Sequence, residues 1–159
     1  MSADTRFREA ASALGYSFEG ELKMGGNYVP LVRDGYVLYV SGQVPRVGST
    51  IVVTGRVGEG VTLAQAQLGA KVCALRALAV LQRELGSLDQ VRRVLRVTVF
   101  TQSAADFTKQ SEVADAASEM LHEVLGGAGK HTRTSVGVYQ LPKNASVELD
   151  LIASALEAR

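Results

Sequence analysis

Apolar positions recur at helical spacing most strongly between residues 62 and 85. Leu68, Val72, Leu75 and Ala79 form one stripe. Ala74, Leu78, Leu81 and Leu85 form a second beside it, so the pattern predicts a helix with a broad buried face. Thr62 is placed to cap its start and Gly86 to end it, with Gln65, Arg76 and Arg83 left for water. Ala64, Gly69, Ala70 and Ala77 are small enough to let it lie close to a sheet. A shorter amphipathic helix is predicted over 4–14 from Phe7, Ala10, Ala11 and Leu14, ended by Gly15. A third is predicted over about 107–125, closed by Gly126-Gly127.

Strand signals surround these helices. Tyr28–Arg33 and Tyr36–Gly42 are separated by Asp34-Gly35, a hairpin dipeptide that tolerates positive φ. Further β-rich runs cover 50–57, 91–101, 133–139 and 146–153. Mixed strands and helices with at least one hairpin predict an α+β fold, a single sheet carrying both long helices on one face. Side chains alternate along a strand. Val147, Leu149, Leu151 and Ala153 therefore oppose Glu148, Asp150 and Ile152. Leu95, Val97 and Val99 oppose Val94, Arg96, Thr98 and Phe100, and Thr134, Val136 and Val138 oppose Arg133, Ser135, Gly137 and Tyr139. The plain apolar sets are expected beneath the helices. The mixed sets form a face that suits a subunit interface with polar pockets; the alternative is an ordinary open antiparallel face with scattered apolar residues.

Composition narrows the function classes. A chain of 159 residues with 47% hydrophobic content supplies a core for one domain, 1–159, with residues 1–25 as an N-terminal helix and extension and 26–159 as the core. The single cysteine, Cys73, excludes an internal disulfide and reads as a buried thiol. A net charge of +1 gives no electrostatic case for nucleic acid, and the cluster Arg92, Arg93 and Arg96 reads as solvated or ion-paired. Asp4 and Glu9 stand where a signal or transit peptide would lack acids, and no apolar run is long enough to span a bilayer, so a cytoplasmic location is expected.

The segment 133–150, RTSVGVYQLPKNASVELD, carries the candidate chemistry. The planar fork of Arg133 suits bidentate binding of a carboxylate, and Glu148 has the chemistry to position water or move a proton. The alternative is that both are tied up in structural ion pairs. If the last two strands formed a hairpin, Glu148 would face Gly137 or Tyr139, roughly 13 to 20 Å from Arg133 at 3.3 Å per residue. One small substrate touching both would then have to lie between subunits. His122, His131 and Cys73 do not make a zinc site, and His131 reads as a loop residue. Gly127-Ala-Gly-Lys130 lacks the spacing of a phosphate-binding loop, and Ser41-Gly42-Gln43 lacks that of a hydrolase elbow.

Three blocks in order give the chain a family resemblance. They are Gly26-Asn-Tyr28-Val-Pro30 with Leu38-Tyr-Val-Ser41-Gly42-Gln43-Val-Pro45; Leu85-Gly86-Ser87-Leu88-Asp89 with Val91 and Arg96-Val-Thr-Val-Phe100; and Arg133-Thr-Ser-Val-Gly-Val138 with Leu141-Pro142 and Val147-Glu148-Leu149. Across about residues 26–153 the chain resembles the RidA/YjgF (imine deaminase) superfamily, in a longer subgroup with an N-terminal extension. The resemblance implies a chorismate-mutase-like α+β fold, a homotrimer, inter-subunit clefts for small carboxylates, and no cofactor or metal. It implies hydrolysis of 2-imino acids to 2-oxo acids and ammonia, with Arg133 on the substrate carboxylate and Glu148 on the reacting water. Tyr28, Ser41, Gly42 and Ser135 match other cleft positions. The chain departs from the deaminating pattern at His131-Thr132, where Pro-Ala is usual, at Ser135 in place of Cys, and at Asp115 in place of a helix Asn. Two other functions remain as alternatives: a trimer that binds 2-oxo acids without turnover, and the endoribonuclease activity of the family's older label.

Overall fold

The computed structural model describes residues 1–159. Its main sheet has five strands in the order β1(Leu31–Asp34), β2(Val37–Gln43), β9(Val147–Ala155), β7(Val91–Gln102), β8(Thr132–Val138). β2 and β7 are both antiparallel to β9 and so run the same way, while β7 and β8 pair in parallel. Strands that run the same way in one sheet require long crossovers. These are supplied by α2(Leu63–Leu85), between β2 and β7, and by α3(Gln110–Leu125), between β7 and β8. The result is a mixed α+β sheet with both long helices on one face, as the periodicity predicts.

Local signals set the bounds of α2. Thr62 accepts from the Gln65 amide and the Gln65 side chain accepts from the Thr62 amide, a reciprocal capping box. Gly86 ends the helix at φ 80°, a left-handed backbone that glycine adopts without a Cβ penalty. Val72, Leu75, Leu78 and Leu81 are wholly buried between α3 and the sheet, each stabilising by about 1.5–3 kcal/mol. The helix at the start, α1(Ala3–Ala13), extends this core with Phe7, Ala10 and Ala11.

Several expectations shift. The first hairpin turns at Gly35-Tyr36, because Asp34 still pairs with Val37, and residues 28–30 are irregular. The run 50–57 is no continuous strand. It splits into a small hairpin, β3(Arg46–Val47) with β4(Thr50–Ile51), and the ladder of β5(Arg56–Val57) with β6(Gly60–Val61). Two bulges in β7, between Val91 and Arg93 and between Val94 and Arg96, insert extra residues against β9. They turn Val94 into the core and leave Leu95 beside Arg96 on the other face, reversing the predicted alternation there.

The largest correction concerns β8 and β9, which do not pair. β7 lies between them. Arg133 stands opposite Val97 and Ser135 opposite Val99, and both valines are buried beneath the helices. Arg133, Ser135 and Gly137 therefore point toward α3, and Thr134, Val136 and Val138 face the open side, the inverse of the expectation. The alternation along β9 is as predicted, with Glu148, Asp150 and Ile152 on the open face.

Asp4 ties α1 to the turn after α2. Its carboxylate accepts from the Leu88 amide at 2.9 Å, Ser87 Oγ at 2.5 Å and Gln82 Nε2 at 2.6 Å. Burial pushes its pKa up, but these donors and the nearby Arg8 charge outweigh that and hold it below the usual 3.8. A carboxyl depressed in the folded state stabilises at pH values above its unfolded pKa, and that contribution is lost as pH falls through the folded value. Asp4→Asn is expected to lower Tm at pH 7, with the gap to wild type narrowing as pH falls below 3.8 and through the lower folded-state value. Thermal melts across that range check it.

Candidate functional site

Where β2 ends and β9 begins, the sheet margin opens into a cleft of about 160 Å³. Tyr28, Gly42 and Glu148, three of the expected site residues, line it together. Glu148 projects from the open face of β9, opposite Phe100 of β7. Gly42 lies against it: a Cβ there would stand 3.0–3.3 Å from the Glu148 carboxyl group, so only glycine leaves the carboxylate its present position. Burial pushes the Glu148 carboxyl above its ordinary 4.5, and the neighbouring Asp150 carboxylate adds to the shift. This moves it toward the range in which a carboxyl both takes and returns a proton near neutrality. Ser41 is spent locally, donating from Oγ to the Pro30 carbonyl at 3.1 Å.

The other lining residues include Lys23, Arg46, Arg76 and Lys143. Arg76 was expected in water and is instead 3% exposed. It donates to Gln43 Oε1 at 3.2 Å, the Arg46 carbonyl at 2.9 Å and the Lys23 carbonyl at 3.1 Å. Arg76 lies one turn from the buried Val72 and Val80, and the segments around Lys23 and Arg46 close over it.

Arg133 and Ser135 lie elsewhere. Arg133 Nη1 donates to Asp115 at 2.8 Å and Ser118 at 3.0 Å, and Nη2 to Ser111 Oγ at 2.9 Å, all on α3. The pair with Asp115 is the one salt bridge in the chain, so the structural alternative weighed from sequence applies to Arg133 within its own chain. Ser118 also meets His131 Nε2 at 2.8 Å, and the other ring nitrogen of His131 meets the Gly129 carbonyl at 2.6 Å. His131 thus braces the arginine's cradle from the loop before β8. Arg133 and Glu148 are separated by β7, offset by three positions along it, and point from opposite faces. At strand spacings their Cα atoms are about 14 Å apart. No small molecule bridges them within one chain.

Comparison with known proteins places this geometry. The endoribonuclease L-PSP family matches residues 18–155. Protein TCP17 of Trypanosoma cruzi is 40% identical over 155 residues, 96% of this chain and 97% of that protein. Among solved structures, the Agrobacterium tumefaciens protein Atu1372, of unknown function, is 38% identical with a TM-score of 0.86, covering 96% of this chain and 94% of that one. Escherichia coli TdcF with bound serine is 26% identical with a TM-score of 0.57, covering 82% and 90%. A family match over most of the chain, a curated relative aligned nearly end to end and a shared mixed sheet all point the same way: the chain belongs to the endoribonuclease L-PSP family, the YjgF group.

Proposed function

We propose that the protein is a homotrimer that hydrolyses 2-imino acids to 2-oxo acids and ammonia in clefts between protomers. The observation that carries this reading is Glu148, half-buried with a raised pKa in a cleft shared with Tyr28 and Gly42. Water adds to the imine carbon and passes a proton to Glu148. The carboxyl returns that proton to nitrogen, then takes the hydroxyl proton of the adduct as the carbon–nitrogen bond breaks, which releases ammonia and leaves the 2-oxo acid. A protonated imine is already electrophilic, so positioning supplies most of the acceleration. The serine bound by TdcF supports an amino-acid-sized carboxylate as ligand.

Arg133 enters from the adjacent protomer. Ser111, Ser118 and Asp115 fix the plane of its guanidinium. The Asp115 side chain is 55% exposed, and a partly solvated ion pair is weak enough to be exchanged for, or shared with, a desolvated substrate carboxylate. The trimer reading rests on the open sheet face. Val32, Tyr39, Leu95 and Val136 are 39–53% exposed there in a single chain, beside the half-buried Phe100 and Ile152. An apolar face of this kind suits burial against further copies.

The test is the decay of 2-iminopropanoate with wild type and Glu148→Gln. The variant is expected to lose about 100-fold or more of the acceleration. Its Tm at pH 7 should hold or rise. A carboxyl whose pKa is raised on folding costs stability once pH exceeds its folded value, and the amide removes that cost. Equal rates would sink the role of Glu148. 2-Oxobutanoate binding without any acceleration by wild type would instead favour a non-catalytic binding protein.

A further inference from the structure

The cleft holds more positive charge than the proposed reaction uses. Lys23, Arg46, Arg76 and Lys143 face a single carboxyl, Glu148, and none of the four has a carboxylate within ion-pair distance anywhere in the chain. Arg76 is nearly wholly buried, yet its three acceptors are an amide oxygen and two carbonyls, all neutral. Removing a guanidinium from water without a counter-charge costs several kcal/mol even when its N–H groups are bonded. Beside it, Arg46 Nε is buried with no hydrogen-bond partner, an uncommon state for a charged donor. Burial, and after it the nearby Arg46 charge, push the Arg76 guanidinium below its ordinary range. At the rim, Lys143 sits in a left-handed backbone conformation at φ 60° and ψ 22° that a lysine avoids elsewhere. The uncompensated charge of Arg76, the unpartnered Arg46 donor and their mutual repulsion are relieved by one event: an anion between the arginines.

We infer that Arg46 and Arg76, with Lys143 at the rim, bind a second anionic group of the ligand, so that this cleft takes 2-oxo and 2-imino acids bearing two anionic groups. The inference rests on the proposed function, in which Arg133 of the neighbouring protomer takes the carboxylate next to the reacting carbon. The second group then lies on the opposite side of the imine carbon, past Glu148 and toward α2. A carboxylate and a phosphate ester share this chemistry. Both accept two parallel N–H bonds from a guanidinium, and both gain from a site whose positive charge is already out of water.

Calorimetric titration of the full-length protein with three probes tests it: 2-oxobutanoate with one anionic group, 2-oxoglutarate with two carboxylates, and 3-phosphohydroxypyruvate with a carboxylate and a phosphate. Wild type is expected to bind one of the two dianions at least about tenfold more tightly than 2-oxobutanoate, each opposite charge in a desolvated pair contributing on that scale. Which dianion wins distinguishes carboxylate from phosphate. Arg46→Gln should erase the preference. Arg76→Gln should do the same where it folds, and Arg46→Gln keeps the test open where it does not. Arg133→Ala should weaken all three probes alike. Equal affinity for the mono- and dianions in wild type, or a preference that survives Arg46→Gln, overturns the inference. The deaminase reading fails separately, on absence of imine turnover.

Discussion

Co-production of Arg133→Ala and Glu148→Gln chains in one cell is expected to restore activity that neither homotrimer shows. Each variant alone lacks one group at every site. In a mixed cyclic trimer, a site regains both when an intact Arg133 from one chain meets an intact Glu148 from the next. With equal chains assorting at random, about a quarter of the sites meet that condition, so imine turnover should reach about a quarter of wild type. The expectation follows from the sheet. β7 separates the two residues, they emerge from opposite faces, and the separation of about 14 Å exceeds the reach of an amino-acid-sized ligand. A mixture no more active than its parents would mean that the two groups do not share a site, and that Arg133 serves only its own α3.

A second large effect is expected from Gly129→Ala, far from the cleft. The chain folds back after α3 through a short 3-10 turn, and Gly129 lies directly against that helix. An added Cβ would collide with the Leu121 carbonyl oxygen and stand 2.8 Å from its carbon and 3.0 Å from His122 Cα. These are backbone atoms of a buried helix, which do not swing aside as a side chain would. Overpacking of this kind costs about 3 kcal/mol, the upper end of the usual range. Denaturant melts are expected to show that loss. The Gly129 carbonyl also receives His131, whose other nitrogen meets Ser118, which holds Arg133. Catalysis should therefore fall further than the loss of folded protein explains. Wild-type stability in this variant would show that the turn has room that the geometry denies.

The N-terminal extension has a structural role that composition could not reveal. Its Phe7, Ala10 and Ala11 complete the outer layer over α3, and Asp4 and the Ala3 amide fasten it to Ser87, Leu88 and Asp89. The family match covers residues 18–155, and α1 lies ahead of it.

Wherever local physics suffices, the chain's own pattern was enough. The start and end of α2 follow from Thr62 and Gly86, because caps act within a few residues. The two faces of β9 follow from strict alternation, with no bulge inside Val147–Ile152. The grouping of Tyr28, Gly42 and Glu148 was legible through three motifs taken in order, since a family's spacing encodes a fold. Strand order was not legible. Sequence neighbours pair by default, and nothing within 133–153 shows that β7 comes between β8 and β9. That one insertion turned Arg133 to the helix side. The bulges that reversed Val94 and Leu95 are likewise set by partner strands. Arg76 shows the same limit most sharply: a charged residue on a helix is taken for a wet one until the packing of two other segments, around Lys23 and Arg46, closes over it. Burial and neighbourhood are properties of chains brought together from afar, and only the tertiary structure decides them.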